Sequence, residues 1–352
     1  MIVWGGFGVA SDNRDGELFA DGAAYDPETD DWRRLPASPL EARQGHFAIW
    51  TGREVLIWGG PSPLVLADSQ VPVDHNDGAL YDPASKEWRR IPESPLSRRS
   101  ESAVAYAAGR LLVWGGRDGR APNDPGLADG AVYDVKTNRW TLLPEAPLPG
   151  RIRPAVAAVG DQVLIWSGIR IESGGDRRTD AALYNPTTHD WTRIADAPRP
   201  AGCFEERCPG TTTGSLALFV NARLSYDAST GTWNDMPDCA AAREFSSGQS
   251  TVAAADGLIA WGGKSPYGDR LPGASYHLRD KRWSELPEPA FAPRLHHAAI
   301  WTGDRMIVWG GISGAEGEPT TYHNDGAAYF PGEVDLSAIR ECRPAPPPPP
   351  VD

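Results

Sequence analysis

Three short apolar patterns recur along the chain in a fixed order. The first is an apolar run closing on Trp-Gly-Gly, at Trp4, Trp58, Trp114, Trp261 and Trp309, and once more as Trp166-Ser167-Gly168. Ala217-Leu218-Phe219-Val220 stands in the same register as a degenerate copy. The second is a shorter stretch, usually led by Asp-Gly-Ala, that ends in Tyr25, Tyr81, Tyr133, Tyr184, Tyr226, Tyr276 or Tyr329. The third is a tryptophan seven residues beyond the tyrosine: Trp32, Trp88, Trp140, Trp191, Trp233 and Trp283, with Leu336 in that place after Tyr329. Short apolar runs bounded by Gly, Pro, Asp and Asn predict β-strands rather than helices. Successive tyrosines lie 56, 52, 51, 42, 50 and 53 residues apart, so the strands belong to a repeat.

Each repeat holds four candidate strands, A to D. In the second copy they are His46–Trp50, Val55–Trp58, Ala79–Tyr81 and Glu87–Ile91. Asp82-Pro83 opens a type I turn between C and D, and the glycine pair after B permits a sharp bend or a close approach. A four-stranded sheet of this size buries its two faces only by stacking on neighbours. All 14 tryptophans have a place in this scheme: six end strand B, six begin strand D, and Trp50 and Trp301 end strand A. All are expected to pack between sheets rather than to form a ligand cage. Strand A has clear copies at His46–Trp50, Ser102–Tyr106, Pro154–Ala158, Gln249–Ala254 and His297–Trp301, and an eroded one is expected near Cys203–Cys208. A weak seventh strand D is expected over residues 334–339. No strand A precedes Trp4, and Met1 through Gly6 repeats Met306 through Gly311 letter for letter. Met1 is therefore expected to be an internal methionine of a longer protein, with a His-x-Ala-x-Trp-Thr-Gly segment upstream.

The order Gly-Gly, Tyr, Trp at a spacing of about fifty residues resembles the kelch family, and the Gly-His and Trp-Asp marks of WD40 repeats are absent. The resemblance spans residues 1 to about 339. It implies an all-β, seven-bladed kelch-type β-propeller of the bacterial kelch or galactose oxidase central-domain kind. Its first blade would lack the innermost strand and its fifth would be degenerate. The blades are expected at residues 1–40, 41–96, 97–148, 149–199, 200–240, 241–290 and 291–339, followed by a Pro-rich tail or linker at 340–352. The five prolines from Pro346 to Pro350 favour polyproline II.

Charge narrows the partners. A net charge of −13 argues against nucleic acid and anionic membranes. No apolar run reaches the 18 residues of a membrane-spanning helix. A monomer is expected. Four cysteines are too few for a disulfide scaffold; Cys203 and Cys208 bracket a loop, Cys239 and Cys342 stand alone, and bonded and free forms both remain open. A secreted or cell-envelope location is favoured if a signal peptide lies upstream.

Strands running alternately up and down sort the loops by face. The A–B and C–D connections are tight, whereas the B–C and D–A connections are long and varied, which makes their face the candidate for binding. An arginine stands 15 residues before the strand B tryptophan at Arg43, Arg99, Arg151 and Arg294, with Arg98 and Arg153 beside that register. His46 and His297 follow three residues after Arg43 and Arg294. A partial ring of guanidiniums at a mouth would suit carboxylates or phosphates, and it resembles the arginine-lined peptide-binding mouth of some kelch adaptors. The alternative is an arginine that pairs with an aspartate or carbonyl of its own blade. The loops also carry His75-Asn76-Asp77-Gly78 and His323-Asn324-Asp325-Gly326, so that His75, Asp77, His323 and Asp325 are loop candidates. Asp21, Asp129 and Asp180 recur in that register without the histidine, which points to a turn residue rather than a metal ligand. No metal or other cofactor is expected.

Some kelch-type propellers are enzymes, the galactose oxidase family and sialic acid mutarotases among them. The oxidase resemblance would need copper held by Tyr and His and a Tyr–Cys crosslink. Tyr276-His277 is an adjacent pair, but no cysteine stands in a clear partner position. The expected function is a non-catalytic binding module for a protein, peptide or glycan, acidic ligands included. The alternative is a small-molecule enzyme of sugar mutarotase or copper oxidase type.

Overall fold

A computed structural model describes residues 1–9, 16–60, 75–119, 125–170, 176–201, 208–242, 248–254, 257–264, 271–287, 294–314 and 320–331. The chain divides into two compact units, Met1–Pro200 with Glu206–Cys208, and Ala201–Glu205 with Pro209–Asp352. The first contains four antiparallel blades. Strands A to D of the second blade are Phe47–Trp50, Val55–Trp58, Gly78–Asp82 and Glu87–Arg90, hydrogen-bonded in that order. The third comprises Ala103–Ala107, Arg110–Trp114, Gly130–Asp134 and Arg139–Leu142, and the fourth Ala155–Val159, Gln162–Trp166, Ala181–Asn185 and Asp190–Ile194. The first blade has three strands among the described residues, Ile2–Gly8, Glu17–Asp26 and Asp31–Arg34, which correspond to B, C and D.

In the second unit the sixth blade repeats the pattern with Ser250–Ala254, Gly257–Trp261, Ala274–His277 and Arg282–Glu285. The seventh shows Ala298–Trp301, Met306–Trp309 and Gly326–Tyr329. Residues 334–339, expected as its strand D, lie outside the described residues. The fifth blade departs from expectation. It is a complete four-stranded sheet whose innermost strand is Thr211–Thr213, not the stretch at Cys203–Cys208. Three threonines have the β-branching of a strand without its apolar pattern, so a reading by hydrophobicity passes over them. In place of Gly-Gly and a long B–C loop, this blade uses a 3-10 turn at Val220–Ala222, closed by Arg223 in the left-handed region at φ 49°.

Successive strand residues point to opposite neighbours, which places the cores between blades. Leu111 and Val113 of the third blade pack with Leu56, Trp58 and Leu80 of the second. Leu112 and Trp114, one residue out of step, pack with Val163 and Ile165 of the fourth. Ile259 and Trp261 of the sixth blade likewise meet Met306 and Val308 of the seventh.

Four strand D tryptophans tie their blade to the one before. Their indole N–H donates to a proline carbonyl just past strand D of the preceding blade: Trp88 to Pro36 at 3.1 Å, Trp140 to Pro92 at 2.8 Å, Trp191 to Pro144 at 3.1 Å and Trp283 to Pro237 at 2.9 Å. Each ring also leans on the tyrosine of its own blade, as Trp140 does on Tyr133 with centroids 5.4 Å apart, and Trp140 meets Trp58 of the preceding blade at 4.9 Å. Trp140→Phe keeps most of the apolar contact and removes the donor. It is expected to lower stability by about 1 kcal/mol, read as a reduced urea midpoint with unchanged circular dichroism.

Among the described residues two tryptophans depart from the expectation of packing between sheets: Trp32, 39% exposed, and more strongly Trp50. Trp50 is 58% exposed. Its side chain lies on the face of the second blade that meets the first, beyond the reach of the first blade's described strands.

Candidate functional site

The B–C and D–A connections are interlocked by main-chain pairing. The residue that follows the glycine pair bridges back to the D–A segment at Ser100↔Arg117, Ile152↔Ile169 and Leu295↔Ile312. In the first blade strand pairing continues past a bulge at Trp4/Gly6 to Gly8↔Glu17, and two-residue strands extend the B–C connections of the fourth and seventh blades. These arms carry exposed apolar side chains: Phe7 at 36%, Val9 at 40% and Tyr322 at 39%.

The four register arginines point into their own blades. Arg43, Arg99, Arg151 and Arg294 are all buried. Each guanidinium meets the aspartate that leads its own strand C, at 2.7 Å to Asp77, 2.8 Å to Asp129, 2.7 Å to Asp180 and 2.6 Å to Asp325. Each also donates to the carbonyl just past the strand B tryptophan, on Gly59, Gly115, Ser167 and Gly310. Hydrogen bonds from Arg99 and Arg294 hold the Asp129 and Asp325 carboxyls below the usual carboxylate range. Burial works against both charges of the Arg151–Asp180 pair and draws the guanidinium downward, yet bonding to Arg151 leaves the Asp180 carboxyl lowered. These donors are committed to clamping strand B, strand C and the D–A segment together.

Two residues after each arginine the backbone turns left-handed: Gly45 at φ +58°, Glu101 at 59°, Arg153 at 52° and His296 at 54°. Glycine adopts that region freely, whereas each of the other three is strained by about 1 kcal/mol or more. Strain of this kind brings Glu101 and Arg153 together. The Glu101 side chain is 1% exposed and accepts from Arg153 Nε at 2.7 Å and Nη2 at 2.5 Å. Arg117 Nε completes the group as an ion pair at 2.8 Å to the other carboxylate oxygen, without hydrogen-bond alignment. One buried anion thus meets two guanidiniums that are 27% and 28% exposed. Among the described residues the terminal nitrogens of Arg117 have no partner. Sequence reasoning found Arg153 but missed Glu101 and Arg117. The available signal was a glutamate standing where the second blade has Gly45.

The histidines take packing positions. His46 sits edge-on to Trp4 at 5.0 Å and His297 edge-on to Trp261 at 4.7 Å, each over the glycine that follows the tryptophan of the preceding blade. Burial pushes His297 down to about 4. His75 is buried, while His323 Nε2 meets Ser313 Oγ at 2.7 Å. Asp77 and Asp325 are engaged by arginine, and among the described residues no three His, Cys, Asp or Glu side chains converge as metal ligands. Tyr276 of the Tyr276-His277 pair is 5% exposed and packs on Trp283 at 5.1 Å. Cys239 is fully buried and disulfide-bonded, whereas Cys203 and Cys342 lie outside the described residues.

Blades of this build, joined by tryptophan and clamped by arginine, define an all-β repeat propeller. Residues 45–212 match the family model described as the KLHDC2/KLHL20/DRC7 Kelch-repeats domain. Over that stretch the chain matches the kelch-repeat family, and its fold is a seven-bladed kelch β-propeller. It is 27% identical over 185 residues to an F-box/kelch-repeat protein of Arabidopsis thaliana, covering 49% of this chain and 45% of that one. It is 30% identical over 177 residues to human Kelch repeat and BTB domain-containing protein 13, covering 50% of this chain and 35% of that one. Over 120 residues it is 30% identical to N-acetylneuraminate epimerase of Pasteurella multocida, covering 30% of this chain and 31% of that one. The chain thus spans less than half the length of these relatives.

Proposed function

We infer that this propeller is a non-catalytic binding module whose B–C and D–A connections take a protein segment bearing a carboxylate. The observation that carries the reading is the Glu101 group, in which two part-exposed guanidiniums are held by one buried anion. A carboxylate that docks on Arg117 gains charge-assisted, bidentate bonds from a fork that is already fixed in place. The exposed Phe7 and Val9 on the B–C arm of the first blade suit the apolar part of a protein partner. With a net charge of −13, attraction to an acidic partner has to come from such a local site and will weaken as salt rises. The Cys239 disulfide suits an oxidising compartment.

The test is a panel of acidic, neutral and amidated peptides titrated against the protein by calorimetry. Acidic peptides are expected to bind, and Arg117→Ala to weaken them about tenfold at a temperature where circular dichroism shows the variant folded. Equal affinity for acidic and neutral peptides, or an Arg117→Ala protein that binds as well as the parent, would remove the reading. The similarity to an N-acetylneuraminate epimerase supports a second reading, a sugar mutarotase on the same face. It requires faster exchange between anomers of N-acetylneuraminate in an NMR assay, with the rate reduced in Arg153→Ala.

A further inference from the structure

The B–C connection of the seventh blade brings a hydroxyl, an imidazole and a carboxylate together. Ile312–Ser313 pairs with Thr321–Tyr322, and Ser313 stands opposite Thr321. The His323 N–H continues the ladder by donating to the Gly311 carbonyl at 3.0 Å. Alternate residues of an antiparallel pair share a face, so Ser313 and His323 are diagonal neighbours on one side of the arm. Their side chains meet, with Ser313 Oγ 2.7 Å from His323 Nε2. Two residues further on, Asp325 presents Oδ1 at 3.9 Å from His323 Nδ1.

The proton positions follow from these neighbours. A carboxylate beside Nδ1 favours the tautomer with its proton on that nitrogen, which leaves Nε2 to accept from the serine hydroxyl. Burial, and after it the charge of Arg294, lowers the His323 pKa from 6.5, while Asp325 works in the other direction. The ring is therefore uncharged at neutral pH and able to take a proton. A hydroxyl bonded to a neutral imidazole is the arrangement that turns a weak nucleophile into a reactive one. Asp325 orients the ring less firmly than a hydrogen-bonded partner would, because its Oδ1 is held by Arg294 Nη1 at 2.6 Å. The second blade carries the same residue types, Ser62, His75 and Asp77, after its own glycine pair. His75 Nδ1 lies 3.8 Å from Asp77 Oδ1, but that imidazole is 5% exposed, and Ser62 lies outside the described residues. The His323 side chain is 21% exposed and Ser313 is half-buried, so a reagent from solvent can reach the pair in the seventh blade.

We propose that Ser313 is a covalent modification site that accepts an acyl group from an activated ester, with His323 as its general base. Ser313 Oγ attacks the ester carbonyl carbon while its proton passes to His323 Nε2. The new bond from Oγ to that carbon replaces the bond to the leaving oxygen. The imidazolium then returns the proton to the departing alkoxide, so that an ester on Ser313 and a free alcohol are left. The donor must be activated, with an acidic leaving alcohol, because Asp325 gives the imidazole no direct hydrogen bond with which to drive a poorer one out. The site stands whether or not the carboxylate reading holds, since Ser313 and Glu101 belong to different compact units.

p-Nitrophenyl acetate incubated with the full chain tests this, with peptide mass spectrometry to place the label. The expected result is one acetyl group on Ser313, formed ahead of any on Lys86, Lys136, Lys264 or Lys281. Ser313→Ala should lose that label, and His323→Gln should slow its formation about a hundredfold in protein that circular dichroism shows folded. The acylation rate of the parent should level off above pH 6.5, where the imidazole is already neutral. Acetyl groups on the lysines with none on Ser313 overturn the proposal. So does an unchanged rate in His323→Gln, or a parent rate that goes on climbing with pH, and the bond from hydroxyl to imidazole then only knits the arm together.

Discussion

Arg151→Met is expected to destabilise the protein by about 3–5 kcal/mol, the cost of leaving a buried charge without its partner. The side chains of Arg151 and Asp180 are 0% and 6% exposed, the most enclosed of the four arginine–aspartate pairs. Methionine keeps much of the packing beside Trp114, over whose ring the guanidinium carbon lies at 5.9 Å. What it removes is the two-pronged pairing of the Asp180 carboxylate, which keeps only Arg178 Nε at 3.5 Å, and the donor to the Ser167 carbonyl. The double variant Arg151→Met with Asp180→Leu should recover part of the loss, since no buried charge is left behind. Arg294→Met should cost less, because its partner Asp325 is 62% exposed and stays solvated when abandoned. Urea denaturation followed by both circular dichroism and tryptophan fluorescence measures these differences. Equal losses for Arg151→Met and Arg294→Met would mean that desolvation does not set the ranking.

The second large effect is a dependence of stability on pH centred on His297. Its pKa falls from 6.5 to about 4, with burial as the largest cause. Between these values the unfolded chain binds a proton that the folded one refuses. The associated stability is therefore fully present above pH 6.5 and is lost as pH falls toward about 4. The loss amounts to roughly 3 kcal/mol. Aspartates with lowered pKa, such as Asp129 and Asp325, lose their contribution only at still lower pH. His297→Phe keeps an aromatic ring against Trp261 and should flatten the unfolding midpoint between pH 4 and 6.5 relative to the parent. Parallel curves for parent and variant across that window would exclude His297 as the cause.

Much of this architecture is legible in the letters because it is written seven times. The strand B and strand D tryptophans and the strand C tyrosines mark surfaces where one blade meets the next, and a surface repeated in register shows up as spacing. What the letters hide is direction. The spacing locates Arg43, Arg99, Arg151 and Arg294, but whether each guanidinium turns inward or outward depends on the backbone of the D–A segment. Trp50 has the same letter as the packed tryptophans and differs only in what lies opposite it. Thr211–Thr213 forms a strand through pairing with Leu216–Phe219 rather than through an apolar pattern of its own. Glu101 was hidden for another reason. Its position is specified by a left-handed backbone, and a glutamate gives no hint of that unless it is set beside Gly45.

The indole-to-proline bonds have a consequence for the order in which this chain assembles. Every observed bond runs from a tryptophan back to a carbonyl 46 to 52 residues earlier, as Trp88 reaches Pro36 and Trp283 reaches Pro237. On a ribosome the acceptor therefore always leaves the exit tunnel before its donor. Each finished blade waits with a ready latch, and the next blade closes it when its last strand emerges.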